Sequence, residues 1–290
     1  MNPRAMPVFA GGTGRSGSTI VGHLLDHHPD LTLTRPMEVR FISGNDGVLD
    51  ALHAARRDPA AGLTAAVLAG ERIRTRWFHR APEVGLHTSM TREQVDAWVA
   101  DYLDGFPGDP RAASTTLVRR IMDAICDHIG AQRWVDTTPA NARKGDRLSW
   151  LYPDARVIAV VRDGRDVAAS FVAQSFGPDD IFEALDQWGE RMMRIHRSLT
   201  SAPPGTMMRI DLFDLVVDAR TRTLDDMLDF VGLSSSDAIR TWFDAHVTAY
   251  AAHGGRWRSL DPATVEAIDE RYAEICTRLH TSGVVIPHGD

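Results

Sequence analysis

Lysine is almost missing from this chain. Of 32 basic residues only Lys144 is a lysine; the rest are arginine. Any anion site must therefore be built from arginine, backbone N–H groups and hydroxyls, and arginine suits multidentate contact with phosphate or sulfate oxygens. Cysteine is nearly as scarce. Cys126 and Cys276 are the only two, too few for a disulfide framework or a Cys-rich zinc site. Long apolar runs are lacking, since stretches such as residues 157–161 fall far short of a membrane span. The first twelve residues carry neither the long apolar core nor the small-residue cleavage site of a secretory signal. No repeat, low-complexity tract or long linker interrupts the chain, and no acidic cluster accompanies its histidines as a metal site would require. These absences predict a soluble, reduced, cytoplasmic protein with no transmembrane segment and no metal.

What is present is an ordinary globular composition, 43% hydrophobic and 24% charged over 290 residues, enough to bury a substantial core. The formal net charge of −7 argues against a global electrostatic hold on nucleic acid. Strand-like stretches at residues 7–11, 30–34, 133–136, 156–161 and 206–210 alternate with helical ones at 18–27, 141–151, 166–174 and 179–199. Further helices start near residues 218, 234 and 261. This alternation predicts a parallel central sheet flanked by helices, and residues 1–290 read as one α/β domain. Residues 46–130 read as a helical insert that caps one end of the sheet. Within it, residues 91–94 look like a helix start, with Glu93 one place early for a capping box.

Two segments carry the chemistry. The first runs from Gly11 to Thr19, between a strand and a helix, and its Gly12 and Gly17 have the spacing of the glycines in G-x-x-x-x-G-K-[ST]. Glycines let successive N–H groups converge on an anion, and the helix N-terminus behind them adds partial positive charge. Ser18 stands where that motif has its lysine, so a triphosphate loses its key cation. Arg15 instead puts a fixed charge inside the loop. The second segment, Arg162-Asp163-Gly164-Arg165-Asp166 with Ser170 following, lies at the exit of the best strand. There an arginine and a serine can grip a second phosphate.

The ordered pair resembles the sulfotransferases that use 3′-phosphoadenosine 5′-phosphosulfate, particularly a bacterial branch related to the tyrosylprotein sulfotransferases. That family has a G-x-x-R-S-G-[ST]-[ST] loop and, later, R-D-x-R-D-x-x-x-S. The likeness extends to Asp136-Thr137-Thr138-Pro139-Ala140-Asn141, like D-K-T-P-x-N, and to Gly255-Arg256-Trp257-Arg258. The resemblance implies a P-loop, nucleotide-kinase-like fold with five parallel strands. It implies that Gly14, Arg15, Ser16, Gly17, Ser18 and Thr19 hold the 5′-phosphosulfate, with Arg15 steadying the leaving oxygen. Arg162 and Ser170 would bind the 3′-phosphate, with Arg256 and Arg258 closing over it. The family's longer R-K-G loop motif is absent, and residues 250–252 occupy the nearest spacing.

The same resemblance makes Glu38 the base that takes the acceptor's proton, with Arg40 beside it. Other branches use a histidine, and His79, His87 and His128 stay open as alternatives. Thr137 replaces the lysine of D-K-T-P, leaving its charge to Arg15, Thr138, Arg40 or another donor. Asp136 and Thr138 are read as adjacent to the site. The implied reaction moves a sulfuryl group to a hydroxyl, or an amine, on a small-molecule, glycolipid or peptide acceptor, releasing 3′-phosphoadenosine 5′-phosphate without a metal. The rival readings are a kinase on the same fold and a degenerate nucleotide-binding member.

Overall fold

The computed structural model describes residues 6–79, 84–249 and 254–288. Five strands, β1 (Val8–Gly12), β2 (Thr32–Leu33), β3 (Trp134–Asp136), β4 (Arg156–Val161) and β5 (Met207–Asp211), form one sheet in the order β2-β3-β1-β4-β5. Every pairing is parallel, with Gly12 opposite Val160 and Val161 opposite Asp211. β1 and five of the six residues of β4 are buried, as continuous apolar runs require when both faces are covered.

Alternation along the strands sorts two faces. Val8, Ala10, Val135, Ile158, Val160 and Ile210 share a core with α1 (Ser18–Asp26), α11 (Arg220–Val231) and α12 (Asp237–His246). Phe9, Trp134 and Val157 point the other way. They pack with α3 (Val48–Ala55), α4 (Pro59–Arg72), α5 (Arg92–Gly105) and α6 (Pro110–Ile129). The helical insert is thus more than a cap on the sheet's end. The first crossover helix covers the opposite face, so Phe9 and Trp134, in edge contact at 5.1 Å, need the insert for their own burial. Further along that face, α9 (Gly164–Val172), α10 (Ile181–Ser201) and α13 (Pro262–Thr281) bury Val161.

Two local expectations change. The helix expected at 141–151 is broken into α7 (Ala140–Arg143) and α8 (Gly145–Leu148). At the break, Gly145 presses against Met207 and Val157, where a Cβ would sit 2.6 Å from the Met207 sulfur. Lys144 turns aside to an ion pair with Asp50 at 2.6 Å. The capping box of α5 is complete, but through Gln94: its Oε1 accepts the Thr91 N–H at 2.9 Å, while Thr91 Oγ1 accepts the Gln94 N–H. Among the described residues, no helix is long and apolar enough to cross a membrane, and no group of three or more His, Cys, Asp or Glu could hold a metal ion.

Candidate active site

The glycine loop leaves β1 at the C-terminal edge of the sheet. Gly12 N–H donates to Pro139 O at 2.9 Å, pinning the loop to the segment after β3. Beyond it the backbone turns through left-handed conformations at Gly14 (φ 84°), Arg15 (φ 57°) and Gly17 (φ 101°). Two of these are glycines, as positive φ favours, but Arg15 holds the conformation at a steric cost. Among the described residues, no acceptor takes the N–H groups of residues 14–17. They stand in front of α1, whose first-turn N–H groups are unsatisfied by construction. A Cβ on Gly17 would sit 2.8 Å from Leu212, so the turn also needs the missing side chain.

This loop and the exit of β4 meet in one cleft of about 630 Å³. The Arg15 Nε–H donates to Ser170 Oγ at 3.0 Å, Arg162 reaches the Arg15 carbonyl at 3.4 Å, and Arg162 pairs with Asp166 at 3.2 Å. Asp166 also accepts the Gly255 N–H at 2.7 Å, which draws the C-terminal segment to the cleft and sets Arg256 in its lining. The R-D-x-R-D motif is therefore split between tasks. Arg162 and Asp166 line the cleft, whereas Arg165 bridges Asp163 and Asp269 at 2.6 Å each and lies between the rings of Trp257 and Tyr272. Its partners raise its proton affinity further, and it acts as the clamp that seats the Arg256 segment.

Of the expected donor contacts, Gly14, Arg15, Gly17, Ser18, Thr19, Arg162, Ser170 and Arg256 line the cleft. Two do not. Ser16 is buried with its hydroxyl against Gly12, so only its backbone is available to a ligand. Arg258 lies over the Trp257 ring at 4.9 Å and is absent from the lining. The expectation about residues 250–252 lies outside the described residues.

Glu38 and Arg40 also line the cleft, and Arg40 donates to Glu38 Oε2 through Nε at 2.8 Å and through Nη2. Glu38 has φ 57°, a second non-glycine residue in a strained turn at the cleft. Asp136 holds that turn in place. Fully buried, it accepts the Val39 N–H at 2.7 Å on Oδ1, and on Oδ2 the Thr138 N–H at 3.1 Å and Asn141 Nδ2 at 2.7 Å. Burial pushes its carboxyl above the ordinary range, and these donors oppose the shift. Asn141 in turn accepts from Ser43 at 2.6 Å, tying α2 (Arg40–Ser43) to α7. None of His79, His87 and His128 reaches the lining.

Thr137, expected to leave a missing charge in the cleft, is fully buried against Gly22 of α1 and does not line it. Positive charge comes instead from residues that no motif marked. Arg143 and Arg191 line the cleft, as do Arg72 and Arg76 from the insert. Arg191 donates to the Thr13 carbonyl and to Gln187, both at 2.8 Å, and lies over Phe171 at 4.7 Å. Arg143 has no hydrogen bond or ion pair among the described residues. Burial, with Arg191 and Arg194 nearby, lowers its pKa to about 10. The only sequence signal for Arg143 is its place just after the Pro139–Asn141 turn, and Arg191 lies within an amphipathic helix that gives none.

A parallel sheet whose central strand opens into an anion loop, with a second cationic grip at the next strand, places the molecule among the P-loop-like α/β transferases. A model of the sulfotransferase family matches residues 7–237, and the chain belongs to that family. It is thus an enzyme of sulfuryl transfer. Solved structures share its fold. The sulfotransferase domain from the Synechococcus PCC 7002 olefin synthase is 19% identical, with TM-score 0.53 over 94% of this chain and 96% of that one. The sulfotransferase STF9 from Mycobacterium avium is 16% identical, with TM-score 0.53 over 100% of this chain and 79% of that one. The sulfotransferase STF1 from Mycobacterium tuberculosis H37Rv is 20% identical, with TM-score 0.50 over 94% and 78%.

Proposed function

We propose that the chain moves a sulfuryl group from 3′-phosphoadenosine 5′-phosphosulfate to a hydroxyl of its acceptor in one in-line displacement. The observation that carries this reading is the hydrogen bond from Arg15 to Ser170, which brings together two anion signatures 155 residues apart. One ligand with two phosphate-like groups can engage both. In this reading the N–H groups of residues 14–17, the start of α1, and Ser18 and Thr19 receive the phosphosulfate. Arg162, Ser170 and Arg256 receive the 3′-phosphate. Glu38, oriented by Arg40, takes the acceptor's hydroxyl proton. The acceptor oxygen bonds to sulfur as the bond from sulfur to the bridging phosphate oxygen breaks, and Arg15 meets the charge that develops on the departing bisphosphate.

A thermal-shift titration with 3′-phosphoadenosine 5′-phosphate, beside 5′-AMP, ADP and ATP–magnesium, tests the donor site. A ligand at a hundred times its Kd stabilises the native state by about 2.7 kcal/mol, worth several degrees in Tm at this length. Selective stabilisation by the bisphosphate, lost in Arg162→Ala, is the expected result. Stabilisation by ATP–magnesium alone would replace this reading with a kinase.

A further inference from the structure

The cleft holds more positive charge than its donor needs. Eight arginines line it, at positions 15, 40, 72, 76, 143, 162, 191 and 256, against two carboxylates, Glu38 and Asp166. This stands inside a chain whose formal net charge is −7. Arg40 is neutralised by Glu38, Arg162 by Asp166, and Arg72 by Asp46 at 2.5 Å. The remaining five form no ion pair with a carboxylate among the described residues, although Glu190 lends Arg191 some favourable charge. A phosphosulfate and a terminal phosphate together carry about four negative charges. Part of that is met by the loop N–H groups and the start of α1, which involve no arginine at all. At least one cation is left over.

Position sorts these cations, with Arg191 on the Thr13 carbonyl of the glycine loop and Arg143 near it. Arg15, Arg162 and Arg256 gather around Ser170 and Asp166. Arg143 lies on α7 and Arg76 on the π-helical turn Ile73–Trp77 of the insert. α2, which begins at Arg40 two residues beyond Glu38, packs against both α7 and that turn. The wall that carries the base therefore carries these two cations as well. Arg143 is half-buried and lies near two other arginines, an arrangement that disfavours its charge until an anion arrives.

We propose that the acceptor is itself an anion: a hydroxyl compound bearing a carboxylate, which Arg143, assisted by Arg76, receives while the hydroxyl faces Glu38. Charge-assisted contacts to a guanidinium are about twice as strong as neutral ones, so the carboxylate both anchors the acceptor and selects it. This rests on the donor reading above, and the experiment separates the two.

The protein is first saturated with 3′-phosphoadenosine 5′-phosphate. It is then titrated with 4-hydroxyphenylacetate or with the isosteric 4-hydroxyphenylacetamide, following Tm, and the same pair is compared as acceptors of label from the phosphosulfate. The carboxylate should bind at least about tenfold more tightly than the amide. In Arg143→Gln combined with Arg76→Gln the preference should fall to within about twofold, while the bisphosphate's own shift persists and reports an intact fold. Equal binding of the two probes, no binding of the carboxylate to the saturated protein, or a preference that survives both substitutions would each overturn the proposal. Failure of the bisphosphate to stabilise the protein at all would instead sink the donor reading beneath it.

Discussion

Arg15 and Glu38 are two of the three non-glycine residues at positive φ among those described, and both line the cleft. Strain at a ligand-facing residue persists only where its surroundings over-determine it, and for Glu38 the restraint is visible in the Asp136 carboxylate beneath Val39. Glu38→Gln keeps the shape and removes the proposed base. Transfer should fall by about 10²- to 10⁴-fold with bisphosphate affinity unchanged within about twofold. A rate within tenfold of the parent would remove Glu38 from the mechanism. Asp136→Asn offers an NH₂ to the Thr138 N–H or the Val39 N–H, so a donor faces a donor, and stability should drop by about 1–3 kcal/mol. The pH dependence follows from burial. Because the native carboxyl holds its proton to higher pH than the unfolded one, the native state takes up that proton first as pH falls from neutrality. Stability at this site therefore rises toward the ordinary Asp range, and the advantage is complete below the unfolded value. The variant has no such proton, so urea melts at pH 8 and pH 5 should show its deficit widening at the lower pH.

At the scale of elements, the site is assembled where short connections cross. The loop before α1 depends on Gly17, whose φ of 101° and close approach to Leu212 both refuse a Cβ. Gly17→Ala should cost about 1–3 kcal/mol and weaken bisphosphate binding at least tenfold, measured by calorimetry; unchanged affinity would show that the loop's shape is not what holds the ligand. Lys144 does similar work for the insert, pairing with Asp50 of α3 and donating to the Gly44 carbonyl at 3.1 Å, at the cleft's edge. Lys144→Met leaves the part-buried Asp50 carboxylate with only the more distant Arg147 at 4.0 Å and the Asp46 N–H, and should lower stability by about 1–3 kcal/mol. All five strands and their parallel sense were legible in the sequence, because buried parallel strands write themselves as short apolar runs between glycine and proline. The turn of the glycine loop was legible too, since a backbone that curls through positive φ needs glycines at set positions. Arg143, Arg76 and Arg191 were not. A guanidinium on a helix or turn has no spacing rule, and only the packing of α7, the insert and α10 around the strand ends brings the three together. Thr137 was misleading for the same reason. Its motif position suggested the cleft, but the turn after β3 sends its side chain under α1.

The molecule as a whole is an acidic body with a basic cleft. Its net charge of −7 repels polyanions at long range, while eight arginines against two carboxylates set a strongly positive potential within one concavity of low-dielectric walls. Such a field acts over about a Debye length, roughly 10 Å at 0.1 M salt and 3 Å at 1 M, so donor binding should be steered by the cleft and screened by ions. Calorimetric Kd values for 3′-phosphoadenosine 5′-phosphate are expected to rise by at least about tenfold between 50 mM and 500 mM sodium chloride, with chelator present throughout. Substituting Arg162→Ala or Arg256→Ala should flatten that dependence, because each removes a cation that the ligand must share with chloride. Exchanging exposed arginines remote from the cleft, such as Arg222 on α11, should leave it unchanged. A salt dependence equally reduced by the remote substitution would place the attraction in the surface at large, which the net charge already opposes. A dependence confined to the cleft arginines would locate the binding energy in the few charges that the fold has gathered against the sign of the rest.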